Sequence, residues 1–207
     1  MQKLKKVNLF ILAILIINIL FMTCARQRIS PEESVEIFLD VLLKNDSSNI
    51  YKIGMTEEDY TEFRNTLEDG IIEGLTGTTL EIDEITNETK TNLKNDIIAG
   101  LSKLEYEVIP ILRENHNAKV QVNIKGFDMK KIVVMSQEDL KEEYESNPSM
   151  TEIEAFQESF RIIGKAISKG DISDKYKTVT MNLSKENNIW LIEENDVLAI
   201  INGIVEI

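Results

Sequence analysis

The sequence predicts an α+β domain in which amphipathic helices pack on a curved antiparallel sheet of about four strands, preceded by an N-terminal signal or anchor helix. Three observations carry that expectation. Apolar residues recur at helical spacing through residues 30–104 and again through 129–169. After each of those runs the period switches to two on either side of a polar turn. The first 24 residues follow another rule, a basic start and a nearly unbroken apolar run that ends at a lone cysteine.

Lys3, Lys5 and Lys6 precede the apolar stretch from Leu9 to Met22, which is the order a secretory signal requires. The stretch closes on Leu20, Phe21, Met22, Thr23 and Cys24, and this ending resembles a bacterial lipoprotein signal, in which the cysteine becomes the lipidated first residue of the mature protein. That resemblance implies lipidation at Cys24. The alternative is an uncleaved membrane helix from Val7 to Thr23, at the short end of the roughly 17 to 25 residues that span hydrocarbon and weakened by Asn8 and Asn18. Only the lipid reading explains why the sole cysteine stands directly behind the apolar core. The chain thus divides into a lipoprotein-type signal or anchor over 1–24, a short tether over 25–29 and one domain over 30–207. That domain is expected to be membrane-anchored and extracytoplasmic, at the cell surface or on the periplasmic side.

The formal net charge is −13, and because the first 24 residues hold three lysines and no acid, the remainder carries −16. Such a surface repels phosphate backbones, which excludes nucleic acid as a partner. It repels anionic lipid too, so the anchor rather than a basic patch is what holds the domain at a membrane. With one cysteine no intrachain disulfide can form, and stability rests on the hydrophobic core.

Ser30, Pro31 and Glu33 form a capping-box helix start, followed by Val35, Phe38, Leu39, Leu42 and Leu43 at helical spacing. Ile50 to Met55 reads as a short helical connector closed by Gly54. Thr56 with Asp59 opens a second helix lined by Tyr60, Phe63, Leu67 and Ile71, on which Gly70 and Gly74 suggest a close crossing with a neighbour. Thr76 to Asp83 reads as loop, and a third helix begins near Asn87 with Leu93, Ile97, Leu101 and Leu104 on one face. Tyr106 to Arg113 and Ala118 to Gly126 are expected strands joined at Glu114 to Asn117, with Pro110 placing the first at an edge or bulge. Met129 to Glu145 and Thr151 to Lys169 read as helices, the second capped by Thr151 and Glu154 and lined by Ile153, Phe156, Phe160, Ile163 and Ile167. A second hairpin, Tyr176 to Lys185 and Ile189 to Glu193, turns at Glu186, Asn187 and Asn188. Asp196 is expected to cap a short last helix.

His116 is the sole histidine, which excludes paired-histidine zinc sites, and its place in a polar turn gives it no catalytic role. No Gly-x-Gly-x-x-Gly or phosphate-cradling loop exists, so no nucleotide cofactor is expected. The acids at Glu57 to Asp59 sit in a helix's opening turn, and those at Glu142, Glu143 and Glu145 and at Glu193, Glu194 and Asp196 read as solvated faces without calcium-loop spacing. No catalytic, cofactor-binding or metal-ligating residue is therefore assigned. Trp190 is read as core packing, with ligand stacking as the sharper alternative.

The lipoprotein signal, the Ser30 to Glu33 helix start with Val35, Phe38, Leu39 and the ending Lys44, Asn45, Asp46, and the late Asn188, Ile189, Trp190, Leu191, Ile192 together resemble uncharacterised bacterial lipoprotein domains of the nuclear-transport-factor-2-like, or cystatin-like, type. That resemblance implies helices over a curved antiparallel sheet, with a cone-shaped cavity in many members; the extra helices between the hairpins depart from its simplest form. The preferred functional reading is a tethered, non-enzymatic module that binds a small ligand or an envelope protein. A small hydrolase or isomerase using the cone, and a structural or assembly factor of the envelope, remain as alternatives.

Overall fold

The computed structural model describes residues 29–76 and 85–205. Cys24, the apolar run and most of the Thr76 to Asp83 stretch lie outside the described residues. Six helices and a four-stranded sheet follow one another as α1 (Pro31–Lys44), a 3-10 turn (Ile50–Ile53), α2 (Glu57–Thr76), α3 (Asn87–Leu101), β1 (Tyr106–Arg113), β2 (Asn117–Ile124), α4 (Met129–Ser146), α5 (Glu152–Lys169), β3 (Lys177–Glu186), β4 (Ile189–Ile192) and α6 (Glu194–Ile204). The α+β class is as the alternating periods predict.

Each strand is antiparallel to the next in the order β1-β2-β3-β4, so the two hairpins read from sequence join through β2 and β3 into one sheet. Asn187 and Asn188 make the tight β3–β4 turn with φ of 49° and 65°, a left-handed pair that asparagine tolerates better than most residues. β1 is an edge strand, and its register slips between Pro110 and Leu112, where proline cannot donate to the ladder. Ala118, Val120, Val122 and Ile124 of β2 and Val179, Met181 and Leu183 of β3 are buried on one face. Lys119, Thr178 and Thr180 alternate with them on the other, exposed.

The apolar face is covered by α1 and α6. α1 contributes Val35, Leu39, Leu42 and Leu43 and α6 contributes Val197, Ile200 and Ile204 to the same core as Val120, Val122 and Met181. The space where the resemblance implied a cone is filled with these side chains. The helix begins where expected, since Ser30 Oγ accepts the Glu33 N–H at 3.1 Å. Only half of the capping box forms, because the Glu33 carboxylate reaches Lys52 Nζ at 2.9 Å instead of turning back. Ile29 is already buried, so the folded part includes the last residue of the expected tether. Gly54 closes the 3-10 turn at φ 88°.

Beyond α1 lies a second layer of helices. Reciprocal bonds between Thr56 and Asp59 start α2, as the sequence reading has it. The expected crossing at Gly70 is absent, for a Cβ there would meet nothing within 4 Å; Ile71 and Gly74 lie outside the described side chains. The close crossing is between α3 and α5. A Cβ on Gly100 would stand 2.5 Å from the Ile167 carbonyl oxygen, and one on Gly164 would stand 2.8 Å from Asp96 Oδ2. Thr151 and Glu154 form the full capping box of α5. Of the expected stripe Phe160 and Ile167 are buried and Phe156 and Ile163 half-buried against the core, while Ile153 is 49 % exposed; Ala155, Ile162 and Ala166 are buried besides. Small residues let the backbones approach, and that turns Ile153 outward. Asp196 caps nothing; the N-cap is Glu193, without a side-chain bond.

Candidate functional site

The best-formed opening is a groove of about 690 Å³ between the outer edge of β3 and the exposed side of α6, lined by Lys177 to Thr180, Ala199, Asn202, Gly203 and Val205. Its existence follows from one short strand. β4 pairs only with Leu183 to Glu186, so among the described residues the first half of β3 has a sheet neighbour on the β2 side alone. At the junction the chain turns into α6. Glu193 donates its N–H to the Asn182 carbonyl at 3.2 Å, and Asp196 Oδ2 accepts the Asn182 N–H at 2.6 Å and its Nδ2 at 3.0 Å. The carboxylate read as solvated thus ends the β3–β4 ladder. At the far end Phe127 donates to the Ile204 carbonyl at 2.9 Å, seating the end of α6 against the loop after β2.

Polar side chains cross the open face of the sheet beside the groove. Asn123 Oδ1 accepts from Thr178 Oγ1 and from Gln121 Nε2, both at 2.9 Å, and Asn123 Nδ2 donates to Glu107 Oε2 at 3.2 Å. These groups bond one another and present a hydrogen-bonding surface.

A second polar cluster lies where α1 meets β1. The Tyr106 hydroxyl donates to Asp40 Oδ1 at 2.7 Å, Lys44 pairs with Asp40 at 2.8 Å, and the Lys44 ammonium stands 5.1 Å from the Tyr106 ring centroid. Burial, then the hydrogen bond to Asp40, raises the Tyr106 pKa far above the ordinary phenol range. Burial also raises Glu36, helped by the neighbouring charges of Asp40, Glu33 and Glu32. Tyr106, Asp40 and Lys44 are partnered with one another, whereas the charges that act on Glu36 are all acids.

Arg64 was missed by the sequence reading. It is buried, its Nη1 donates to the Val41 and Leu42 carbonyls at 3.2 and 3.0 Å, and its Nη2 pairs with Glu68 at 3.3 Å. Those carbonyls belong to the last turn of α1, which has no intrahelical donor for them. The signal was present: Arg64 falls on the apolar line of Tyr60, Phe63 and Leu67, where a cation has no business unless something inside receives it.

The singled-out residues are scattered rather than gathered. His116 is exposed in the β1–β2 turn, and its carbonyl accepts the Lys185 N–H at 2.8 Å. Glu145 is exposed on α4 and paired with Lys141, while half-buried Glu143 faces α5 and pairs with Arg161. Trp190 is 2 % exposed with the Lys185 ammonium 5.1 Å from its ring, a core residue as expected. Among the described residues no cluster of three or more His, Cys, Asp or Glu could hold a metal ion, and no helix is long and apolar enough to cross a membrane.

Fold and groove together define an α+β domain with helices over one face of a four-stranded antiparallel sheet and a bare strand edge at its side. The chain belongs to the family described as a domain of unknown function, DUF5105, whose profile matches residues 21–201. It is similar in structure to ycdA of Bacillus subtilis, a protein provisionally designated a lipoprotein, with TM-score 0.73 and 20 % identity. The similarity covers 86 % of this chain and 56 % of that one, so this chain spans little more than half the length of its structural neighbour. No curated protein matches the sequence. Neither match carries the nuclear-transport-factor-2-like description that the sequence resembles.

Proposed function

We propose that this chain is an extracytoplasmic lipoprotein, held at the membrane by lipid on Cys24, whose folded domain is a non-enzymatic module that binds a partner protein or small ligand in the groove between β3 and α6. The groove carries the binding half of this reading: it combines backbone, Asn202 and small apolar side chains in one open channel, a mixture suited to recognition. The tether half is supported by the residue order around Cys24 and by the likeness to a chain designated a lipoprotein. The nuclear-transport-factor-2-like resemblance enters only as shape, helices over one face of an antiparallel sheet. The net charge of −16 outside the signal favours a protein or small-molecule partner over nucleic acid.

Metabolic labelling with radioactive palmitate checks the anchor. Label is expected in the wild type and absent from Cys24→Ala, which should also keep its signal; unlabelled wild-type protein would leave the uncleaved membrane helix in its place. For the groove, a photo-crosslinking residue at Asn202 is expected to give a discrete product in cells that the same residue at Val134 does not. Indistinguishable products from both positions would sink the groove as the binding site.

A further inference from the structure

We infer that the groove takes an extended segment of a partner protein, which adds as a new strand along the bare edge of β3; this rests on the binding-module reading above. In an antiparallel sheet successive residues turn their N–H and C=O toward opposite neighbours. Asn182 faces away from β2, since its carbonyl takes the Glu193 N–H and its N–H goes to Asp196. By alternation Thr180 and Thr178 face the same way, while Met181 and Val179 turn to Val120 and Val122 of β2. β4 stops at Ile192 opposite Leu183, so among the described residues no strand reaches the outward groups of Thr178 and Thr180. Both residues are exposed. A free edge beside a helix-walled channel is the arrangement into which an extended peptide adds by main-chain bonds.

The walls define what kind of segment fits. Ala199 leaves room opposite the edge, Gly203 lets α6 close on Lys177, and Val179 and Val205 make the lining apolar, so every second side chain of the incoming strand is small and apolar. Charge sets its ends. Glu193 and Glu194 follow the strand where β3 meets β4, while Lys177 stands at the opposite end of the groove. A segment with a basic residue at the glutamate end complements this, and the −16 charge outside the signal disfavours pairing of two copies through the same edge.

The probe is a displayed library of short random peptides, panned on the full-length chain in detergent. Binders are expected to alternate small apolar residues with a basic residue at one end. N-methylation of a selected binder should weaken it about tenfold or more at every second amide only. Thr180→Pro, which removes one outward N–H at a position an edge strand tolerates, should cost a similar factor. Hydrogen exchange needs no variant: Thr178 and Thr180 amides should exchange fast in the free protein and slow when peptide is added, while Val179 and Met181 are slow throughout. Absence of binders, or fast-exchanging Thr178 and Thr180 amides unchanged by saturating peptide, overturns the inference. Binders lost on Ala199→Trp yet indifferent to N-methylation overturn strand addition and leave the groove reading standing. A concentration-dependent dimer abolished by Thr180→Pro assigns the edge to a second copy and overturns the foreign segment.

Discussion

The layer against the sheet and the layer of helices beyond it are held together by opposite means. α1 buries nine of its 14 residues, so it works by volume, with Leu39, Leu42 and Leu43 filling the space above Val120 and Val122. The outer layer works by missing side chains. α3 and α5 close on each other at Gly100 and Gly164, and α4, which buries only Ile132 and Ser136 of its 18 residues, leans on α5 from outside. The cost of a change therefore depends on what stands opposite the residue, more than on how apolar it is.

The widest contrast is between two aliphatic residues. Leu39→Ala should lower stability by about 2 to 5 kcal/mol, since a cavity opens in a filled core, whereas Val134→Ala on exposed α4 should stay within about 0.5 kcal/mol. Urea unfolding measures both, and similar losses would erase the distinction between the layers. Two glycines sharpen it next. Gly100→Ala should cost about 1 to 3 kcal/mol by driving a methyl against the Ile167 carbonyl. Gly70→Ala, in a helix with open space around it, should gain about 0.5 to 1 kcal/mol. A destabilised Gly70→Ala would mean that a neighbour covers α2 after all.

The smallest effect concerns the seam between α1 and β1. Because the folded chain raises the Tyr106 pKa above its ordinary 10.0, this tyrosine stabilises the fold fully below that value. The contribution is lost as pH rises from there through the folded-state value, where the folded chain also releases the proton. Melting temperature should accordingly fall with alkalinity above about pH 10 in the wild type and less steeply in Tyr106→Phe. Tyr60, raised chiefly by burial, keeps the slope from vanishing. Parallel profiles for the two proteins would remove Tyr106 from the account.

Most elements were legible because their signals are local. The Thr56–Asp59 and Thr151–Glu154 caps, the bulge at Pro110 and the Asn187–Asn188 turn each depend on a few neighbouring residues, and each stands where the pattern puts it. What failed depended on distance. The stripe from Phe156 to Ile167 holds, but its first residue Ile153 is exposed and α5 meets α3 through Gly164, which no single-helix pattern can reveal. The groove was illegible for a similar reason: the unequal strands were expected, but the groove also requires that α6 run back beside β3 and that Asp196 reach Asn182. Read along the chain, Asp196 was a helix cap, and only the three-dimensional path makes it the end of a ladder.

Arg64 gives α1 an asymmetry in how it can come loose. Its guanidinium spans two carbonyls at once through Nη1. The Tyr106 hydroxyl on the β1 side is a proton-dependent latch. Base can unlock both tyrosine contacts of the helix, Tyr106 at its β1 flank and the Tyr60 hydroxyl that donates to Asn45 at its C-terminal end, while Arg64 stays as the bolt on the α2 side. A lysine at position 64 would supply the charge as a single point and lose the fork whose Nη1 holds both carbonyls while Nη2 pairs with Glu68, turning the bolt into a further weak latch.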